Sequence, residues 1–205
     1  MMSAGERIRI LLLGYAVAGL GYLAVNRLVG DGPFHHLDIP LDHAIPFVPS
    51  FVFVYILVYV VPGLSVLFMP ERGELIRTFI AFGVGSVICF AIFLLFPVEF
   101  PRVFPVPDSL SGRVLSFVHV LDRPVNCFPS HHVATSFITW MVVRRKHPAW
   151  GHVFGAIAVA IALSTLFVKQ HYIVDVPAGM AVAAVSYVAA FSRPRIWARA
   201  SSSRG

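Results

Sequence analysis

The chain has 205 residues, 58% of them hydrophobic and 13% charged. Soluble domains carry about a quarter charged residues, so an ordinary soluble fold is excluded, and a mean hydropathy of +0.80 points to the bilayer. The formal charge of +6 comes with no aromatic-interleaved basic patch or nucleic-acid motif, so nucleic acid is not an expected partner.

Apolar blocks of roughly 20 residues, the length that crosses a bilayer core as helix, recur along the chain. The first covers 8–28; it is long for a signal peptide, and "YLAVNRLVGDG" offers no small-x-small cleavage site, so it reads as a retained membrane helix. A loop rich in Pro and His (31–50) leads to a second block, 48–69, which Pro62-Gly63 should kink. A third covers 77–97. The long connection 96–126 opens with prolines and then places Leu110, Val114, Phe117, Val118 and Leu121 at helical spacing, which predicts an amphipathic helix lying in the interface. The fourth block, 130–143, is short for a span unless it begins at "NCFPSHH", and two more follow at 149–168 and 173–191. The expected fold class is an all-α integral membrane protein, a six-transmembrane-helix bundle forming one domain over 1–205.

Charge sets the orientation. One side of that bundle carries Arg7, Arg9, Arg72, Arg77, Arg144, Arg145, Lys146, Arg193, Arg195, Arg199 and Arg204; the other carries Arg27, Arg102, Arg113, Arg123 and Lys169. By the positive-inside rule the richer side, with both termini, is cytoplasmic. This predicts a multi-pass protein of the cytoplasmic (inner) membrane, with a basic tail "SRPRIWARASSSRG" against anionic lipid. The opposite, extracytoplasmic side collects His35, His36, His43, His119, His131, His132 and His171. Elaborated loops on one face of a rigid scaffold are where chemistry is usually built. The oligomeric state is not legible.

The polar run "KQHYIVD" sits between two apolar blocks, where ionisable groups are costly and mark function. His171 and Asp175, four apart, share a helix face, so the carboxylate can fix the tautomer of the imidazole and leave its other nitrogen free. The bland alternative is a helix start with a snorkelling Lys169. "NCFPSHHVATS" weighs against it: Ser130 can cap the fourth helix, whose free amides would receive a phosphate, with His131 and His132 at the same mouth. Paired imidazoles, one a nucleophile and one an acid, form a phosphoryl-transfer set that needs no metal or other cofactor. Lys169, Arg102 and Arg123 would neutralise the phosphate oxygens. A zinc site of three His and an Asp is the rival, opposed by the ammonium of Lys169 two residues from a ligand.

"PSHH" at 129–132, followed by "STLFVKQHYIVD" at 164–175, resembles the type 2 phosphatidic acid phosphatase superfamily. That family has a six-helix membrane core and the motifs Lys-x6-Arg-Pro, Pro-Ser-Gly-His and Ser-Arg-x5-His-x3-Asp. The resemblance implies a nucleophile at His171, its orienter at Asp175 and a general acid at His132, all acting on a lipid phosphate. His131 stands where the family has glycine, Thr165 where it has arginine, and Ser116 where the first motif has lysine. Arg123-Pro124 matches the rest of that first motif, while Arg102 in "EFPRVFP" is the better equivalent. "NCFPSxH…KQHYxxDV" is also similar to the inositol phosphorylceramide synthase-like branch, which implies transfer of a headgroup to a lipid alcohol instead of to water. Hydrolysis is the first expectation, that phosphotransfer the second, and a non-enzymatic small transporter a distant third.

Overall fold

The computed structural model describes residues 2–192; the tail arginines Arg193, Arg195, Arg199 and Arg204, assigned above to anionic lipid, lie outside the described residues. Helix α1 spans Ala4–Leu28, its first turn closed by Ser3, whose hydroxyl accepts from the Glu6 amide at 3.2 Å. A short α2 (Pro40–Ala44) precedes the segment Pro49–Phe68, which is an alternation of α-helix and tighter 3-10 turns and not one helix. Its α pieces are α3 (Val52–Tyr55) and α4 (Val61–Ser65). The remaining helices are α5 (Arg72–Leu95), α6 (Leu110–Leu121), α7 (His131–Lys146), α8 (Pro148–Phe167) and α9 (Asp175–Phe191).

The break in Pro49–Phe68 has an identifiable cause. In a regular helix the Gly63 amide would bond the Tyr59 carbonyl; here the Tyr15 hydroxyl stands between them, accepting from Gly63 N at 2.9 Å and donating to Tyr59 O at 2.8 Å. A side chain inserted beside a proline is a known route to a kink. The same contact ties peripheral α1 to the bundle. Much of α1 otherwise presents bare Leu12, Leu13, Val17 and Leu20 outward.

Helix α7 lies at the centre, packed by α8 and α9, with α5 against α9 and α1 against α5. Buried Leu75, Ala81, Val133, Ile138, Val142 and Ala183 form the main core. At one end, Glu74 meets Arg145 at 3.8 Å and Lys146 at 3.6 Å, closing the basic end of the bundle. Of the six expected spans, four form segments long and apolar enough to cross a membrane: Gly5–Leu28, Pro49–Phe68, Arg72–Leu95 and Pro148–Phe167. Helices α7 and α9 have 16 and 17 residues. At 1.5 Å per residue they reach about 24–26 Å, short of a core of about 30 Å.

Helix α6 forms where the periodicity predicts it, but only part of the predicted stripe, buried Val118 and partly buried Val114, packs on the protein. Gly112, Leu115 and Val118 are buried, whereas Leu110, Phe117 and Leu121 are 68%, 63% and 50% exposed. The helix is apolar on two sides, one against the protein and one open, so a single stripe could not say which was which.

Among the described residues no strand forms. Two isolated parallel bridges, His35 to Val98 and Val98 to Asn126, knit the loops before α2, after α5 and before α7 into one layer over the ends of α7 and α9.

Candidate active site

Ser130 caps α7: its hydroxyl accepts from Val133 N at 3.3 Å, and its own amide donates to Asp175 O at 3.2 Å. Capping leaves the first-turn amides of His131 and His132 without partners in the helix. The second bond joins the starts of α7 and α9. Gly179 permits that approach, since a Cβ there would lie 2.6 Å from Ser130 O.

The stretch that carries His171 leaves α8 through a tight C-terminal motif, Lys169 N bonding Leu166 O and Gln170 N bonding Thr165 O. The position that usually takes glycine in this motif is Lys169, with φ of 56°. A side chain in this left-handed region costs roughly 1–2 kcal/mol.

Asp175 and His171 do meet, Nδ1 to Oδ2 at 3.1 Å, but not on one helix face as their spacing predicts: α9 begins at Asp175, and His171 reaches it from the loop before that helix. The same carboxylate oxygen accepts from Tyr172 N at 2.8 Å. A second acceptor, the Cys127 carbonyl, lies 2.8 Å from Nδ1. Because both neighbours only accept, Nδ1 carries a proton, and the nitrogen left to present a lone pair in the neutral tautomer is Nε2. That nitrogen faces His132 Nδ1 at 3.5 Å. His132 in turn packs on the Tyr55 ring, centroids 4.5 Å apart. His171 and His132 are both buried, and Asp175 is fully so.

The cations assigned to phosphate are held elsewhere. Arg102 donates to the carbonyls of His119 (3.0 Å) and Asp122 (2.6 Å), which end α6, and to Gln170 Oε1 (3.1 Å). Arg123 pairs with Asp31 at 2.9 Å and donates to Gly30 O. Lys169 Nζ donates to Asp42 O at 2.8 Å, in a cavity of about 450 Å³ shared with His36 and His43. His131 Nε2 pairs with the Ser86 hydroxyl at 3.1 Å. Thus the fold joins His171, His132, Asp175 and Ser130, and keeps Lys169, Arg102, Arg123 and His131 one layer out.

Behind the imidazoles lies a polar relay that the sequence reading missed. The Gln170 amide bridges Arg102 to His119, donating to His119 Nε2 at 2.9 Å. Asp122 Oδ1 accepts from the Tyr22 hydroxyl at 2.7 Å and from Asn26 at 3.2 Å. Burial, with Arg102 adding repulsion, pushes the His119 imidazole down to about 4, so it stays a neutral acceptor. Burial raises the Asp122 carboxyl, opposed by Tyr22, Arg102 and His171. It lowers the Lys169 ammonium, opposed by Asp42. No group of three or more His, Cys, Asp or Glu among the described residues is arranged to hold a metal ion.

Residues 35–189 match the model of the PAP2 superfamily, and the chain belongs to that superfamily. It is similar to a PA-phosphatase related-family protein of Dictyostelium discoideum, 30% identical over 128 residues, which is 56% of this chain but 23% of the relative. The chain therefore spans under a quarter of that relative's length. Its fold is similar to the crystal structure of Aquifex aeolicus LpxE, with a TM-score of 0.54 at 17% identity over 84% of this chain and 95% of that one.

Proposed function

We propose that the chain is a membrane-embedded lipid phosphate phosphatase acting through a phosphohistidine at His171. One observation carries this reading: Cys127 O and Asp175 both claim the Nδ1 proton, so the free lone pair of His171 is aimed at His132. Membership of the PAP2 superfamily supports it, as does the phosphatase description of the Dictyostelium relative.

In the proposed cycle His171 Nε2 attacks phosphorus in line. The P–O bond to the lipid breaks as protonated His132 gives its proton to the departing oxygen, and the lipid alcohol leaves. Neutral His132 then takes a proton from water while the water oxygen attacks phosphorus. The P–N bond breaks, its electron pair returns to His171, and inorganic phosphate departs. The amides of His131 and His132, freed by the Ser130 cap, bind the equatorial oxygens together with Arg102. Arg102 is favoured over Arg123 because Arg123 is already ion-paired, whereas Arg102 borders Gln170, next to the nucleophile. Lys169 joins by leaving the Asp42 carbonyl.

The lipid is proposed to lie in an apolar cleft of about 210 Å³ between α1, the Pro49–Phe68 segment, α5 and α7, which reaches His132. All six helical blocks cross in this reading, with α7 and α9 starting below the outer surface so that the loops before them line an aqueous mouth on the extracytoplasmic side. The basic ends at Arg144, Arg145 and Lys146 support that orientation. The cleft also favours a second reading. Because it is apolar, the hydroxyl arriving beside His132 could belong to a lipid, and the product would then be a transferred headgroup.

Purified protein given a donor phospholipid and a labelled acceptor lipid separates the two. Free phosphate from a lipid monophosphate supports hydrolysis. Labelled phospholipid with little free phosphate supports transfer, and no turnover of any lipid phosphate rejects both.

A further inference from the structure

The apolar cleft that reaches His132 contains a pair of polar side chains with no part in the cycle above: the Ser86 hydroxyl on α5 and the His131 imidazole on α7, 3.1 Å apart. The choice made by Ser86 is unusual within this molecule. Thr78, Ser136, Thr139, Ser164, Thr165 and Ser186 all return their hydroxyls to carbonyls of their own helices, the low-cost solution in an apolar setting. Ser86 reaches across to another helix instead. Both partners are only half-buried and open on the cleft.

The hydrogen-bond count shows what remains. A neutral imidazole has one donor and one acceptor, and a hydroxyl has one donor and two lone pairs. After their mutual bond, one donor and two acceptor sites are still free, in a cleft whose wall is mainly apolar, with Gly14, Ala18, Phe79 and Phe82 beside Tyr15, Tyr22, Tyr59 and Thr135. His131 is covered by Tyr22 and Phe90, ring centroids 6.0 and 5.5 Å away, which restricts its ring. It also directly precedes His132, so a lipid whose leaving oxygen meets His132 brings its next few atoms past His131 and Ser86.

We propose that Ser86 and His131 form a specificity subsite for a hydrogen-bonding group on the lipid backbone a few atoms from the scissile oxygen: an ester, an amide or a hydroxyl. The inference rests on the lipid phosphatase reading and narrows its substrate class. A lipid phosphate with such a group satisfies the pair, whereas a plain hydrocarbon phosphate leaves buried polar atoms unpaired, and a site built for hydrogen bonds discriminates on that basis.

The test compares a diacylglycerol phosphate with oleyl phosphate, which has no polar group beyond the phosphate, in one detergent. The readout is the ratio of their kcat/KM values in the wild type, Ser86→Ala and Ser86→Thr. Alanine suits an α-helix at least as well as serine, and the threonine variant restores the hydroxyl. The expected result is a wild-type ratio well above one, a fall of about tenfold in Ser86→Ala, and recovery in Ser86→Thr. A His131→Leu variant should lower the ratio likewise. A ratio at or below one in the wild type, or equal loss on both lipids in Ser86→Ala, overturns the subsite while leaving the phosphatase reading intact. Turnover of neither lipid by the wild type overturns the phosphatase reading and the subsite with it.

Discussion

His171 Nε2 and His132 Nδ1 face each other across 3.5 Å, brought together from the start of α7 and the loop before α9. A phosphoryl group cannot sit in that gap. Nucleophile, phosphorus and acid in line need roughly 7 Å from nitrogen to nitrogen, from an attack distance of about 3 Å and a hydrogen bond of about 2.8 Å to the leaving oxygen. The acid is therefore expected to be the far nitrogen of His132, with its ring turning as substrate enters. Tyr55, tilted against that ring with centroids 4.5 Å apart, sets the position from which it turns. Replacing Tyr55 with Leu should raise KM and lower kcat by about tenfold at most, while His132→Ala should abolish turnover. Steady-state kinetics on one lipid phosphate checks both.

Asp175 holds His171, the proposed nucleophile, through a single oxygen, which also binds Tyr172 N. Asp175→Asn keeps the shape but removes the charge that stabilises an imidazolium. A loss of about 10²- to 10⁴-fold in kcat is expected with KM little changed, by analogy with buried carboxylates behind catalytic histidines. An unaltered kcat would mean that Cys127 O alone orients the ring.

Lys169 combines backbone strain with a buried ammonium, and two substitutions separate them. Lys169→Gly and Lys169→Met both lose the bond to Asp42 O, but only glycine relieves the left-handed φ. The glycine variant should be the more stable by roughly 1–2 kcal/mol in denaturant unfolding. If Lys169 serves phosphate, both variants lose activity alike despite that difference.

The histidine and carboxylate pattern was legible because it is local. His171 and Asp175 lie four residues apart and Ser130 opens its own helix, so spacing pointed to all three, although His171 meets Asp175 from the loop before α9 and not from a shared helix face. The Cys127 carbonyl, 44 residues from His171, and Ser86, 45 residues from His131, could not. A carbonyl has no sequence signature, and a lone serine in an apolar helix looks like packing. The surroundings of the cations were not legible for a related reason: sequence assigns Arg102 and Lys169 to the outer side, but not the backbone carbonyls that hold them, His119 O and Asp122 O for Arg102 and Asp42 O for Lys169. Spans were readable where blocks were uniformly apolar; α7 and α9 come out short because their starts are given over to the site.

His119 gives a pH prediction. Its folded pKa of about 4 lies below the ordinary 6.5, so between those values the unfolded chain binds more protons than the folded one. Stability should therefore rise with pH through that window and fall as the pH drops from about 6.5 toward 4. Thermal unfolding at pH 7.5 and pH 5 should show the drop, and His119→Gln should reduce it. An equal drop in the variant would assign the dependence to another group.

Gly179→Val tests the joint between α7 and α9. A Cβ 2.6 Å from Ser130 O must push the two helix starts apart, at a cost of about 1–3 kcal/mol. Activity should fall further than stability, since the shift displaces His132 from His171. Wild-type activity with this substitution would mean that the approach is not needed for the site.

The most direct measurement is of the intermediate itself. The protein is turned over with a lipid phosphate, quenched in alkali, where an N–P bond survives, and mapped by mass spectrometry. The account predicts a phosphoryl adduct on His171, absent in His171→Ala. A phosphoryl group found on another residue, or turnover with no adduct under conditions that retain phosphohistidine, would contradict it.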